Sequence, residues 1–291
     1  MKICVEVPAT SANCCVGFDC LGMALDEIAS FHFEKSDRLI ITCCPEQFQN
    51  EDNLVVQAFR HACSAYGVDM PPFRLHIDSD IPFARGLGSS STCIVAGLMG
   101  ANLMMSLGMK KEQILILATE MEGHPDNAAP AILGQMCACF MKDGRIIHTQ
   151  IDCSKFKALA IIPPYEVSTP MARKVLPATL DFSDAVHQTG HALVFERAIS
   201  TGNEELLFES CEDVLHEPYR KKLIPEYEHV SQICRMLETP FWISGSGSTM
   251  LVLSKHKAKL RKIQELLQEK YKSFDIRLLE INSLGALAYY E

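Results

Sequence analysis

The sequence predicts an α+β fold in two halves, on three observations. Helix-like and strand-like segments are segregated along the 291 residues instead of strictly alternating. A hairpin turn signal, Lys142-Asp143-Gly144 between two strand-like runs, closes the first half near residue 152. Neither an internal repeat nor a low-complexity linker breaks the chain. The expected units are therefore residues 1–152 and 153–291.

In the first half, Ile3 to Val7, Phe31 to Glu34 and Leu39 to Thr42 read as strands, and Leu54 to Tyr66 has helical spacing. Phe73-Arg74-Leu75-His76-Ile77-Asp78 alternates apolar and polar residues like a half-buried strand, and Pro82 ends it by removing a donor. From within the serine run Ser89-Ser90-Ser91 to Leu107 no residue is charged, and Gly108 stops a buried helix; a second helix runs from about Lys110 to Glu122. Gln135 to Met141 and Arg145 to Gln150 are the strands of the hairpin. In the second half, the apolar run Ala158 to Ile162 is a strand stopped by Pro163-Pro164. Helices follow over Ser183 to Ser200, Glu204 to Leu215 and Glu226 to Met236. Two strands flank Ser244 to Ser248, a helix covers Lys255 to Tyr271, and one or two strands end at Tyr290.

Composition suits an enzyme. A 48% hydrophobic share gives a packed core, and a net charge of −9 without a long basic run argues against nucleic-acid binding. The thirteen cysteines are odd in number and scattered, with neither a CxxC pair nor a secretory signal, which reads as reduced thiols in a cytoplasmic protein rather than a cysteine metal cluster. The uncharged stretch from Gly86 to Met109 is long enough to span a bilayer, but its serines, Asn102 and three glycines fit a core helix packed closely through Gly97 and Gly100. No membrane partner is expected.

Four clusters carry chemistry. In Ile81-Pro82-Phe83-Ala84-Arg85-Gly86-Leu87-Gly88-Ser89-Ser90-Ser91-Thr92, a strand feeds a glycine turn that opens a helix, whose unpaired N–H groups and positive dipole end suit a phosphate. It is neither a Walker A loop nor a dinucleotide fingerprint; a serine-capped helix after a glycine turn gives the same pattern. Pro8-Ala9-Thr10-Ser11-Ala12-Asn13 leads to Gly17-Phe18-Asp19, and reads equally as a glycine-bearing loop with turn residues. Glu120-Met121-Glu122-Gly123-His124-Pro125-Asp126-Asn127 ends a helix in a turn fixed by Gly123 and Pro125, dense in groups that bind metal or accept protons. Ser244-Gly245-Ser246-Gly247-Ser248-Thr249 lies between two strands, its glycines permitting close backbone approach.

Together and in this order these clusters resemble the GHMP family of small-molecule kinases, over nearly the whole chain. Glu122 to Pro130 and Gly17-Phe18-Asp19 are similar to the branch acting on homoserine. The resemblance implies an amino-terminal ATP-binding α+β domain, a ferredoxin-like carboxy-terminal domain, and transfer of the γ-phosphoryl of MgATP to the side-chain hydroxyl of L-homoserine, a step toward threonine. Residues Pro82 to Thr92, including Phe83, Ala84, Arg85, Gly86, Leu87, Gly88, Ser89, Ser90 and Ser91, would wrap ATP, with Asn53 on the nucleotide side. Ser90 and Glu122 would hold Mg²⁺. Asn13, Asp19, His124, Asp126, Asn127, Thr169, Arg173 and Arg220 would hold substrate. A homodimer is also implied, although no hydrophobic stripe in the sequence marks its face.

A zwitterion needs a carboxylate for its ammonium and arginines for its carboxylate, and Asp19, Arg173 and Arg220 have those charges. Phosphoryl transfer depends on alignment and charge stabilisation more than on a strong base. Two readings stay open at the hydroxyl: Asp126 takes its proton, or Asn127 stands where related kinases carry an aspartate and positioning suffices. The chain departs from the family at Cys14-Cys15-Val16, where a Leu-Gly-Pro-like run is usual, at Ser248 in place of proline, and at Gln135 in place of a second glycine. Alternatives are a family member acting on mevalonate or a sugar, and a nucleotide-binding protein without turnover.

Overall fold

The computed structural model describes residues 2–291. The first half holds strands β1 (Lys2–Ala12), β2 (Leu21–Lys35), β3 (Ile40–Thr42) and β4 (Phe73–Asp78), with helix α1 (Leu54–Ala65) between the last two. Helices α2 (Ser89–Met104), α3 (Lys111–Glu122) and α4 (Ala128–Leu133) follow, then the hairpin β5 (Met136–Lys142) and β6 (Arg145–Ile151). The second half runs β7 (Lys157–Ile162), α5 (Thr169–Lys174), α6 (Phe182–Thr201), α7 (Glu204–Ser210), α8 (Glu217–Arg220), α9 (Tyr227–Met236), β8 (Phe241–Ile243), β9 (Met250–Ser254), α10 (Lys257–Lys270), β10 (Asp275–Glu280) and β11 (Leu287–Tyr290).

The strands form two sheets. One has the order β11-β1-β2-β4-β3, with β5 on β2 and β6 on β5; the other has the antiparallel order β10-β7-β9-β8. In chain order the second sheet reads 4-1-3-2, the ferredoxin-like arrangement. The last strand leaves it: β11 pairs antiparallel with β1, Ile3 opposite Tyr290, so the chain's end completes the first sheet.

Strand β7 shows why this arrangement holds. Ala158, Ala160 and Ile162 point into the core that the first sheet shares with α1 to α4, whereas Leu159 and Ile161 point into a second core with Val230 and Ile233 of α9 and Leu260 and Ile263 of α10. Burial on both faces explains an apolar run without alternation.

The uncharged helix α2 is the centre of the first core. A Cβ on Gly97 would meet Val55 O at 2.2 Å, and one on Gly100 would meet the Phe33 ring at 2.6 Å, so both glycines let the helix pack closely. Among the described residues no helix is long and apolar enough to cross a membrane.

Several elements depart from the sequence reading, among them the short helices α4 and α8, which it did not contain. β2 begins at Leu21, ten residues before the expected strand, because Leu21 to Leu25 is buried continuously and pairs with β1 and β5. α5 starts at Thr169 with Ser168 accepting from Met171 N and Pro170 in its first turn, in a stretch to which the sequence reading gave no element. α7 ends at Ser210 rather than Leu215.

Candidate active site

The four clusters converge where the two sheets meet. β4 delivers the chain to residues 79–88, and Gly88 at φ 70° turns it into α2. The first turn of α2 therefore faces the cleft, lined by Ser89, Ser90 and Ser91.

Three backbone bonds fix this loop. Thr10 N donates to Leu87 O (3.1 Å), Thr249 N to Arg85 O (3.1 Å) and Val167 N to Ala84 O (3.3 Å), so segments from both halves hold it. Gly86 and Gly88 are required by contact as well as by their positive φ. A Cβ on Gly86 would lie 2.1 Å from Ser244 O, and one on Gly88 would lie 2.0 Å from Thr10 Oγ1.

Two cavities share Leu54, Ala84, Ser89 and Ser90. One, of about 470 Å³, is bounded by Phe48, Phe83, Ile77 and Ile81, and its apolar walls suit a flat base. Asn53 and Thr92 also line it. Asn53 is largely committed to structure: its Oδ1 caps α1 through Val55 N (2.9 Å), and its Nδ2 donates to Phe48 O (2.8 Å). Pro82, Arg85 and Leu87 line neither cavity. Leu87 is core, and Arg85 donates to Pro163 O (3.2 Å), while its Nε is buried without a partner.

The other cavity, of about 420 Å³, gathers Asn13, Asp19, Glu122, His124, Asp126, Asn127, Thr169, Arg173 and Arg220. Arg173 makes a bidentate bond to Asp19, at 2.8 and 3.1 Å. Arg220 is buried, donates to Gly245 O (2.9 Å) and Ala172 O (3.3 Å), and its pKa is lowered to about 10 by burial and by the like charge of Arg173. It stays a cation at neutral pH. Both guanidinium groups sit over the Phe18 ring, at 5.7 and 5.0 Å.

Opposite them, His124 Nδ1 lies 2.6 Å from Asp126 Oδ1, and this bond raises the His124 pKa. Asn127 Oδ1 accepts from Thr10 Oγ1 (2.7 Å), which orients its amide and leaves Nδ2 as the donor toward the cavity. Burial raises the Glu122 pKa, against the pull of the Ser90 hydroxyl, His124 and the Ser91 hydroxyl. Glu122 Oε1 and Ser91 Oγ are buried with no partner among the described residues. Unpaired acidic and hydroxyl oxygens beside a phosphate loop fit a hard divalent cation.

Several positioning residues escape a sequence reading. Gln188 of α6 donates to Val16 O (2.7 Å) and to Asp213 Oδ1 (2.8 Å). Asp213 accepts from His216 N and Glu217 N (both 2.8 Å), which ties down the chain entering the short helix that carries Arg220. His216 Nε2 meets Cys15 O at 3.0 Å and burial lowers its pKa, so the neutral ring offers Nδ1 to Arg220 at 3.5 Å. These are separate polar residues without a motif.

Family models for the GHMP kinases N terminal domain and the GHMP kinases C terminal match residues 53–135 and 200–273. The chain belongs to the GHMP kinase family. It is 39% identical over 290 residues to a homoserine kinase of Clostridium beijerinckii, covering 98% of this chain and 97% of that protein. A homoserine kinase of Clostridium botulinum is 36% identical over 288 residues, 97% of each. Among solved structures, a homoserine kinase from Cytophaga hutchinsonii superposes with TM-score 0.88 at 26% identity, over 99% of this chain and 97% of that one. A putative homoserine kinase from Listeria monocytogenes gives 0.84 at 30% identity, over 99% and 100%. As a GHMP kinase the chain is an ATP-dependent phosphotransferase, and its phosphate loop lies within the amino-terminal family match.

Proposed function

We propose that this GHMP kinase transfers the γ-phosphoryl of ATP to the side-chain hydroxyl of L-homoserine. The observation that carries the reading is one cavity in which a phosphate loop meets a carboxylate and two arginines, a charge pattern that matches a zwitterion with a free hydroxyl. Asp19 accepts the ammonium, Arg173 and Arg220 take the carboxylate, and Thr169 and Asn13 line the pocket between them. Substrate replaces one ion pair with two, since Asp19 and Arg173 bind each other in its absence.

The base of ATP occupies the apolar cavity beside Phe48 and Phe83, and its phosphates lie against Gly86 to Ser91 at the start of α2. Ser90 and Glu122 are the groups that would hold Mg²⁺, which when bound neutralises charge on the phosphate oxygens. The homoserine hydroxyl attacks the γ-phosphorus as the bond to the leaving oxygen of ADP breaks, and its proton passes late to an oxygen of the transferred phosphoryl group and from there to water. The start of α2 and Asn127 Nδ2 stabilise charge on the transferring group.

Asp126 orients rather than abstracts. One of its oxygens is held by His124 at 2.6 Å, and the bond raises the His124 pKa, so that oxygen is committed to the imidazole rather than to the substrate hydroxyl. The family resemblance also implies a homodimer, for which exposed Phe182, Val186 and Leu193 on one face of α6 offer a surface. The thirteen cysteines, all free, support a reading as a cytoplasmic enzyme.

Product identification tests the chemistry. Incubation with MgATP and L-homoserine followed by ³¹P NMR should give one new phosphate monoester coupled to the methylene protons of the side chain. A phosphoramidate, an acyl phosphate or inorganic phosphate alone would refute the assignment.

A further inference from the structure

Away from the cleft, α6 carries His187 and His191 one turn apart, and the chain after α7 brings Glu212 beside them. One nitrogen from each imidazole and one Glu212 carboxylate oxygen all lie within 4.8 Å of one another. The two rings stack with centroids 3.9 Å apart. His187 Nε2 is buried and has no hydrogen-bond partner among the described residues. His191 Nδ1 lies 3.2 Å from Ser210 O. A carbonyl oxygen only accepts, so Nδ1 carries the proton and Nε2 keeps its lone pair. Metal-ligating histidines are oriented by this kind of bond.

We propose that His187, His191 and Glu212 form a site for a divalent transition cation of the zinc type, with water in the fourth position. Two imidazoles and a carboxylate suit zinc better than magnesium, which prefers oxygen ligands. Tetrahedral bonds of about 2.0–2.1 Å place ligand atoms roughly 3.4 Å apart. Closure from the present spacing requires side-chain rotation, and Glu212 is exposed and able to make it. The site would tie α6 to the loop after α7 at a sensitive place. Gln188 adjoins His187, Asp213 adjoins Glu212, and that bonded pair supports the segment ahead of Asp19 and the helix carrying Arg220. This site stands apart from Ser90 and Glu122 and does not depend on the catalytic reading.

The test is titration of the full-length protein with Co²⁺ and Zn²⁺ in the absence of nucleotide. Cysteine is the competing ligand, Cys211 being next to Glu212, and thiolate coordination gives Co²⁺ a distinct charge-transfer band. The expected result is one Co²⁺ per chain with d–d bands and no thiolate band, displaced by Zn²⁺. Zinc at one hundred times its Kd should raise Tm by about 4 °C. His187→Leu should abolish both effects and Cys211→Ser should leave them intact. Glu212→Gln, an exposed change that keeps the fold, should weaken binding about tenfold or more. Unchanged affinity in Glu212→Gln, a thiolate spectrum, or no saturable binding would overturn the proposal.

Discussion

Replacing Gly88 by alanine tests how tightly the phosphate loop is built. The added Cβ falls 2.0 Å from Thr10 Oγ1 and 3.2 Å from Asn127 Oδ1, and Gly88 has φ +70°. Left-handed backbone costs alanine about 1–2 kcal/mol. Breaking the Thr10–Asn127 bond adds about 1 kcal/mol, and residual crowding brings the total to roughly 2–4 kcal/mol. Gly67 is the control, because it has φ +65° and nothing within 4 Å of its Cβ position. Gly67→Ala should show the backbone cost alone. In urea denaturation Gly88→Ala should be less stable than Gly67→Ala by about 1–2 kcal/mol. Moving Asn127 and the loop by about 1 Å should also lower kcat some 10²-fold in an ADP-release assay, while Gly67→Ala stays near wild type. Adding Thr10→Ala to Gly88→Ala removes the nearest atom and should recover part of the stability. Equal stability and equal kcat in the two alanine variants would refute the close-packed loop.

Other perturbations separate the roles in the cleft. Asp126→Asn should lower kcat only modestly and raise KM for L-homoserine, as expected of an orienting group; a fall of 10³ or more in kcat with KM unchanged would make it the base (about 10²–10⁴ for a general base). Arg173→Met should raise KM for L-homoserine by about 10–150-fold, from loss of a charge-assisted pair of about 1.5–3 kcal/mol, with KM for ATP unchanged; a shift in the ATP constant alone would misplace the residue. The folded His124 pKa is raised, so its pairing with Asp126 stabilises the fold fully below its unfolded pKa of about 6.5 and loses that contribution as pH rises through the folded value. Relative to His124→Gln, wild-type Tm should therefore decline over that window, and parallel pH profiles would contradict the pairing.

The clusters were legible because each required an unusual local backbone. Gly86 and Gly88 announce a turn into a helix, and the run from Gly123 to Asn127 announces a helix end, so the residues at those turns could be named from sequence. Pro82, Arg85 and Leu87 belonged to the same motif but sit behind the loop, since a motif does not show which side chains face the cleft. Strand β2 was shortened because Leu21 to Leu25 is buried on both faces and lacks a period of two. Helix α4 was missed because it has only six residues and contains Pro130. The return of β11 to β1 and the Gln188–Asp213–His216 support of Arg220 depend on long-range contacts that no local pattern encodes. The family departures are accommodated locally: Cys14, Cys15 and Gln135 take positive φ without glycine, and Ser248 donates to Tyr165 O at 2.5 Å.

The most direct measurement is ADP release by the purified protein with MgATP, comparing L-homoserine with L-threonine, L-serine, mevalonate and galactose. Strong stimulation by L-homoserine, shifted to much higher L-homoserine concentration in Asp19→Asn and Arg173→Met, is the predicted result. Stimulation by mevalonate or galactose in its place would contradict the zwitterion site, and no turnover with any alcohol would contradict the kinase.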